Sequence, residues 1–254
     1  MYVNSREQSV ALVRTLRTAI PELGERISYY HAGLSRPLRR TIEEAFRGDR
    51  LCCIVSTSAF GEGVNLPGIR NVVLYHMPFG ATEFNQMSGR AGRDGKPASI
   101  HLLFGSRDAR INEGILAAAA PRRGDLVALY KALRAEERRQ GNGSLMLSDG
   151  MLANLAQAQD ESSRLDAAGV ASGIAVFDEL GFLHVEGYDA NRRIVITPSP
   201  RHAELDESIR YSEGVRSVRE FARFRDWVLS ARPQEMLNRI NRPIVPGFGI
   251  SVGA

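Results

Sequence analysis

The sequence predicts an α/β protein: a parallel sheet first, then a smaller mixed module and a helical end. Three observations carry this. Apolar runs at 51–56, 72–75 and 99–104 have strand length and the branched composition of strands buried on both faces. Segments with apolar residues near helical period alternate with them, at 7–19, 36–46 and 82–91. Such alternation resolves into an open parallel sheet with right-handed crossovers. Third, glycine-rich and polar stretches at 4–6, 31–35, 56–65 and 86–95 punctuate the pattern. Ligands of such sheets sit beyond the carboxyl ends of the strands, so these four stretches are expected mostly to share one functional edge.

In order, Ser5 is placed to cap the helix over 7–19, whose apolar positions are Val10, Leu12, Val13, Leu16 and Ile20. The strand before it is reduced to 1–3, which suggests that upstream protein is missing or lies on another chain. A second strand covers 26–31. Ser35 then caps a helix whose first turn accepts Pro37 and whose apolar residues are Leu38, Ile42, Ala45 and Phe46. A tight loop covers 61–67. The helix over 82–91 runs into Gln86-Met87-Ser88-Gly89-Arg90-Ala91-Gly92-Arg93-Asp94-Gly95. Arg90 and Arg93 are three apart, and on a helix that spacing puts both guanidiniums on one face. Their rigid forks match phosphate oxygens, and the glycine before each lets a bulky partner approach the backbone. The same pattern also suits a solvated surface turn.

With 254 residues, 43% hydrophobic and 24% charged, the chain suits one large domain or two ordinary ones with a sizeable core. No run of apolar residues is long enough to span a bilayer, so no membrane partner is expected. The adjacent Cys52 and Cys53 build neither a disulfide framework nor a four-ligand zinc site, and they suit a reducing, cytoplasmic setting. Net charge is +4 at a pI of about 9.3, compatible with a nucleic-acid partner. Only Lys96 and Lys131 of the 33 basic residues are lysines, a bias for which genome composition is the larger cause. His76, His101, His184 and His202 are scattered and read as packing or surface residues, and no metal site is expected.

Residues 121–124 mark a boundary before a helix over 125–139 and a flexible linker at 140–144. Behind it, helices at 148–158, 160–165 and 167–180 precede strands at 182–187 and 192–197. Three helices and a hairpin look like a winged helix, which places its third helix in a groove and its wing on the backbone. Arg192 and Arg193 sit at the expected wing tip. The third helix is poor in basic residues, so packing against the preceding lobe is an equal alternative. Residues 201–246 are helical in pattern, with Phe221, Phe224, Trp227, Val228 and Leu229 as a core stripe, and 243–254 read as a frayed tail. The expected divisions are 1–120, 121–144, 145–200 and 201–254.

Tyr30-His31-Ala32-Gly33-Leu34-Ser35, the run from Ile54 through Thr57, Gly61 and Gly63 to Asn65, and Gln86 through Gly95 form an ordered set. Over about residues 1–110 it resembles the second motor lobe of superfamily 2 helicases, the RecQ-like branch most closely. The resemblance implies a RecA-like lobe, ATP with Mg²⁺ as cofactor, and single-stranded or forked DNA and a first RecA-like lobe as partners. It also implies 3′-to-5′ unwinding in repair or recombination. It places Ser5, Arg6, His31, Thr57 and Ser58 near the DNA backbone. Gly61, Gly63, Asn65 and Gly89 would approach the nucleotide, with Gln86 coupling its state to lobe closure. Arg90 and Arg93 would reach the γ-phosphate, Arg93 being the first choice for the arginine finger. The sequence departs from the branch at Asn65, where Asp is usual, and it cannot build the four-cysteine zinc subdomain. It holds neither a G-x-x-x-x-G-K-[ST] loop nor a DEAD/DEAH-type acidic motif, so the other half of the nucleotide site belongs to a first lobe. No useful ATPase is expected from this chain alone. Other readings are a non-catalytic nucleic-acid-binding scaffold, an RNA helicase fragment, and the helicase-like region of a RecJ-type single-stranded-DNA exonuclease, which 224–227 and 238–244 faintly resemble.

Overall fold

The computed structural model describes residues 1–61, 66, 68–141, 143–187, 192–197 and 204–240. They fall into two compact units, Met1–Ala109 with Phe224–Ala254, and Arg110–Arg223.

The first unit is built on parallel strands β1 (Ile27–Tyr30), β2 (Cys53–Ser56), β3 (Asn71–Leu74) and β4 (Ser99–Leu102). β1 pairs with β2, and β3 with β4. Residues 1–3 join the two pairs, because Tyr2 bridges both Ser56 and Leu74 in parallel. The Tyr2 N–H donates to Val73 O at 2.7 Å and the Val3 N–H to Ser56 O at 2.9 Å. The expected strand remnant is therefore the middle of the sheet, in the order β1, β2, 1–3, β3, β4.

Helix α1 (Arg6–Ala19) follows that middle strand. The Ser5 hydroxyl accepts the Gln8 N–H at 3.0 Å, and the Gln8 side chain accepts the Asn4 N–H at 3.0 Å, so two orphan donors are satisfied reciprocally. Val13 on its inner face is buried with Val3, Ile27 and Val55. Burying each such side chain is worth about 1.5–3 kcal/mol. α2 (Arg36–Arg47) has Ser35 at its N-cap position in extended conformation and Pro37 in the first turn, but the Ser35 hydroxyl makes no capping bond. α3 (Ala81–Ser88) returns the chain from the carboxyl end of β3. Phe224 and Trp227 pack on Phe84 of α3, with ring centroids 5.9 and 5.8 Å away, and Arg239 lies 4.4 Å over the Trp227 ring. The expected stripe is buried at Phe221, Phe224 and Val228, while Leu229 is exposed.

The second unit takes in most of α4 (Ser106–Ala119). It continues with α5 (Arg123–Gln140), β5 (Ser144–Leu145), α6 (Asp149–Gln159), α7 (Ala167–Glu179), β6 (Leu183–Glu186) and β7 (Arg193–Ile196). β7 lies between β5 and β6, antiparallel to both. Leu126, Leu129 and Leu133 of α5 share one core with Leu152, Ile174 and Ile194. The helix that precedes the linker-like stretch thus packs with the elements that follow it. At Gly173 an added Cβ would lie 2.7 Å from a Leu129 methyl, so the glycine sets how closely α7 approaches α5.

The short helix expected at 160–165 does not form. The Asp160 carboxylate accepts both the N–H and the hydroxyl of Ser162, at 2.9 and 2.7 Å, and this local turn competes with helix. Glu179 accepts from the Ser208 hydroxyl at 2.7 Å and the Ile209 N–H at 2.8 Å, fixing the start of α8 (Ile209–Ser230). α9 (Pro233–Ile240) closes the described chain. No helix among the described residues is long and apolar enough to cross a membrane.

Candidate functional site

The carboxyl ends of strand 1–3, β1 and β2 deliver Asn4-Ser5-Arg6, His31 and Thr57 to one edge. A parallel sheet does this automatically, since every strand exits on the same side. Arg6 opens α1 and is exposed. Around Gly33, an added Cβ would lie 3.1 Å from an Arg6 guanidinium nitrogen and 3.2 Å from His31 Nδ1. Gly33 therefore leaves the space in which Arg6 and His31 meet. The His31 ring stacks on Tyr29 at 5.6 Å and 15°, and its buried Nδ1 has no hydrogen-bond partner among the described residues. A buried polar atom without a partner is uncommon and suits a group that a ligand completes. The Thr57 N–H donates to Tyr30 O at 3.3 Å, which seats Thr57 directly beside this cluster. Ser58 is exposed and starts the 3₁₀ turn Ser58–Gly61. Behind the edge, the Tyr30 hydroxyl donates to Glu43 at 2.6 Å, and burial together with that carboxylate pushes the phenol up to about 12.

Ser5 is in place, but its hydroxyl already accepts the Gln8 N–H in the α1 cap. Gly61 ends the 3₁₀ turn, whereas Gly63 and Asn65 lie outside the described residues.

The Arg90–Arg93 stretch departs from its expected form in two ways. The helix stops at Ser88 rather than running through Ala91. Gly89 is its C-cap, and a Cβ there would come within 2.8 Å of the Asn85 carbonyl oxygen. Gly92 then takes φ +63°, a left-handed turn that glycine adopts without strain. The two arginines are brought together by this turn and not by one helix face. Arg93 Nε donates to Gly89 O at 2.9 Å. Burial and the neighbouring Arg90 charge hold the Arg93 guanidinium below its ordinary pKa, so the pair repel each other across a short gap. An anion between them would relieve that repulsion.

The second departure is position. The Gly92 N–H donates to Ile69 O at 3.0 Å, and Arg70 bonds both Asp94 and, at 2.9 Å, Pro97 O. These contacts tie 92–97 to the amino ends of β3 and β4. The backbone of 92–97 thus reaches the amino ends of these strands, while the charges of Arg90 and Arg93 still act on Tyr2, which bridges the last residues of β2 and β3. Gln86 lies exposed on α3 between the two ends.

One residue near the pair was not singled out in the sequence. Tyr2 is 4% exposed, and burial pushes its phenol up to about 12 against the pull of Arg90 and Arg93. His76 Nδ1–H donates to Tyr2 O of the same strand at 3.4 Å, and burial lowers its pKa. Neither residue carries a spacing signal; only the middle position of 1–3 in the sheet reveals them.

In the second unit Arg192 is not a free wing residue. It donates to Asp149 at 2.6 Å and Leu147 O at 3.1 Å. Arg193 is exposed at the start of β7, opposite Glu186 in register. Among the described residues no group of three or more His, Cys, Asp or Glu is arranged to hold a metal ion.

Residues 1–95 match the family model of the helicase conserved C-terminal domain. The chain is 35% identical over 101 residues to the ATP-dependent helicase wrn-1 of Caenorhabditis elegans, covering 40% of this chain and 10% of that protein. It is 37% identical over 114 residues to the probable ATP-dependent DNA helicase RecS of Bacillus subtilis, covering 45% and 23%. The ATP-dependent DNA helicase RecQ of Pasteurella multocida is 35% identical over 108 residues, covering 42% and 16%. The chain therefore spans less than a quarter of the length of each of these relatives.

Proposed function

We propose that this chain, whose residues 1–95 are a helicase conserved C-terminal domain with RecQ-family relatives, is the second motor lobe of an ATP-dependent DNA helicase. Arg93, with Arg90 beside it, stabilises the charge that develops on the γ-phosphate, and Gln86 links nucleotide state to lobe closure. Gly61, Gly63, Asn65 and Gly89 line the nucleotide side. Mg²⁺ is held by a first lobe, since the sequence has no DEAD/DEAH-type acidic motif and Asp94 beside the pair is bound to Arg70. At the strand-exit edge Arg6, His31, Thr57 and Ser58 hold the DNA backbone without reading its sequence. The Arg6–His31–Gly33 cluster carries this reading, because it presents a cation and a partnerless imidazole nitrogen at a strand-exit edge.

The second unit is read as a winged helix. Its element order α5, β5, α6, α7, β6, β7 and its sheet order β5, β7, β6 support this. The three helices are then α5, α6 and α7, shifted from those expected in the sequence. The complete protein works on single-stranded or forked DNA, 3′ to 5′, in repair or recombination in the cytoplasm.

Fluorescence anisotropy of this chain with labelled oligo(dT) tests the lobe assignment. Binding is expected to be sequence-tolerant and to weaken steeply with salt. Gly33→Val drives a side chain into Arg6 and His31 and is expected to weaken binding roughly tenfold or more, the scale of losing one to two charge-assisted contacts. Salt-independent binding, or equal affinity in Gly33→Val, would sink the assignment.

A further inference from the structure

The winged-helix reading directs attention to α7 and the wing as the DNA-facing parts, yet their charges do not suit that task. α7 (Ala167–Glu179) has no basic residue and ends in Asp178 and Glu179. At the wing, Arg192 is neutralised by Asp149. A phosphate backbone brought against α7 would meet like charge.

Helix α5 presents the opposite character. An open groove of about 690 Å³ runs along it, lined by Tyr130, Lys131, Arg134, Ala135, Arg138 and Gln159. Lys131, Arg134 and Arg138 follow one another at helical spacing and so share one stripe. The acids of α5 largely turn away from it. Asp125 is buried, accepting from Arg122 at 3.3 Å and from the Arg164 N–H at 2.9 Å. Glu136 is buried and bound to Arg139 and Gln140. Glu137 pairs with Arg134 at 3.0 Å, and Asp160 lies near Lys131, so two carboxylates temper the groove without cancelling it. Arg138 Nε donates to the Arg134 carbonyl, which orients the guanidinium and leaves its charge uncompensated by that bond. Tyr130 is anchored by edge-on packing on Phe182 at 5.9 Å, giving the groove one rigid aromatic wall.

We infer that the second unit grips the DNA phosphate backbone through the α5 groove, with Lys131, Arg134 and Arg138 as the contacts, and that α7 stays off the nucleic acid. The inference rests on the DNA-helicase reading above. Its chemistry is that of counterion release: cations at one-turn spacing neutralise successive phosphates and displace their condensed ions. Exposed lysine and arginine at the groove lip give affinity without base preference.

The test is the salt dependence of oligo(dT) binding by the 254-residue chain, read by anisotropy. Replacing Lys131, Arg134 and Arg138 together by alanine is expected to lower the slope of log K against log salt by roughly 2, for three phosphates at about 0.7 each. Arg134→Lys with Arg138→Lys keeps the cations and is expected to keep the slope. Should the triple variant melt early, the exposed Lys131→Glu carries the same test on an intact fold, with a shallower slope expected. An unchanged slope in these variants, with Arg193→Ala lowering it instead, overturns the α5 assignment and leaves the helicase reading standing. Absence of salt-dependent binding by the unaltered chain removes that reading and this one together.

Discussion

One arginine from each unit shows two ways of holding a guanidinium. In the first, the Arg93 guanidinium donates to the Gly89 carbonyl oxygen. A carbonyl orients a guanidinium but does not neutralise it. In the second, Arg192 meets Asp149, as Arg70 meets Asp94 in the first. A carboxylate compensates the charge, and Asp149 also ties the start of β7 to α6. The contrast separates an arginine whose charge is left uncompensated by its bond from one that holds the fold. It also shows why residue type alone misleads: Arg93 and Arg192 both sit beside another arginine in polar sequence, and only the partner distinguishes them.

The largest effect belongs to Arg93. In a protein that holds both lobes, Arg93→Ala is expected to lower ATP turnover roughly a thousandfold or more, the scale of an arginine finger, while DNA affinity stays unchanged. The denaturation midpoint of the present chain should not move, since among the described residues the Arg93 side chain bonds within its own turn, to Gly89 O. Turnover that survives the substitution would pass the role to Arg90.

Arg192→Ala should give the reverse pattern. It leaves Asp149 and Leu147 O without their donor, and a lost charge-assisted hydrogen bond costs about 2 kcal/mol. Chemical denaturation followed by helical circular dichroism reads that loss, and oligo(dT) affinity is expected to hold. Weaker DNA binding at unaltered stability would erase the distinction between the two kinds of arginine.

Much of the first unit was legible because its signals are local. The runs at Ile54-Val55-Ser56 and Val72-Val73-Leu74 became β2 and β3, and Ser5 became the α1 cap. The Arg6–His31–Thr57 edge follows from strand direction alone once the strands are placed. What stayed hidden depended on contacts distant in sequence or on exposed surfaces. α4 shows no readable stripe because its Ile111 and Ile115 are each 51% exposed. Arg192 and Asp149 are 43 residues apart, so their pairing leaves no spacing pattern. The helix was expected to run too far because periodicity continues through Gly89 on paper, whereas Gly92 turns the backbone left-handed and its N–H donates to the Ile69 carbonyl.

The smallest expected effect is in acid, where the two units should fail in different pH ranges. In the first unit, burial holds the His76 imidazole below its ordinary 6.5. The unfolded chain then takes up that proton first, so stability is full above about 6.5 and falls as pH drops through that value. In the second, hydrogen bonds from Arg139 and Gln140 hold the Glu136 carboxyl down at about 2. Its contribution is present above the ordinary 4.5 and is lost only as pH falls from there toward 2. The sole tryptophan, Trp227, packs on Phe84 within the first unit, so its emission reports that unit. Its denaturation midpoint is expected to decline between pH 7 and 5, and His76→Gln should flatten that decline because glutamine does not titrate. Glu136→Gln should leave the tryptophan limb alone and flatten the loss of helical signal below pH 4.5. A tryptophan limb that persists in His76→Gln would mean that another group sets the acid sensitivity of the sheet.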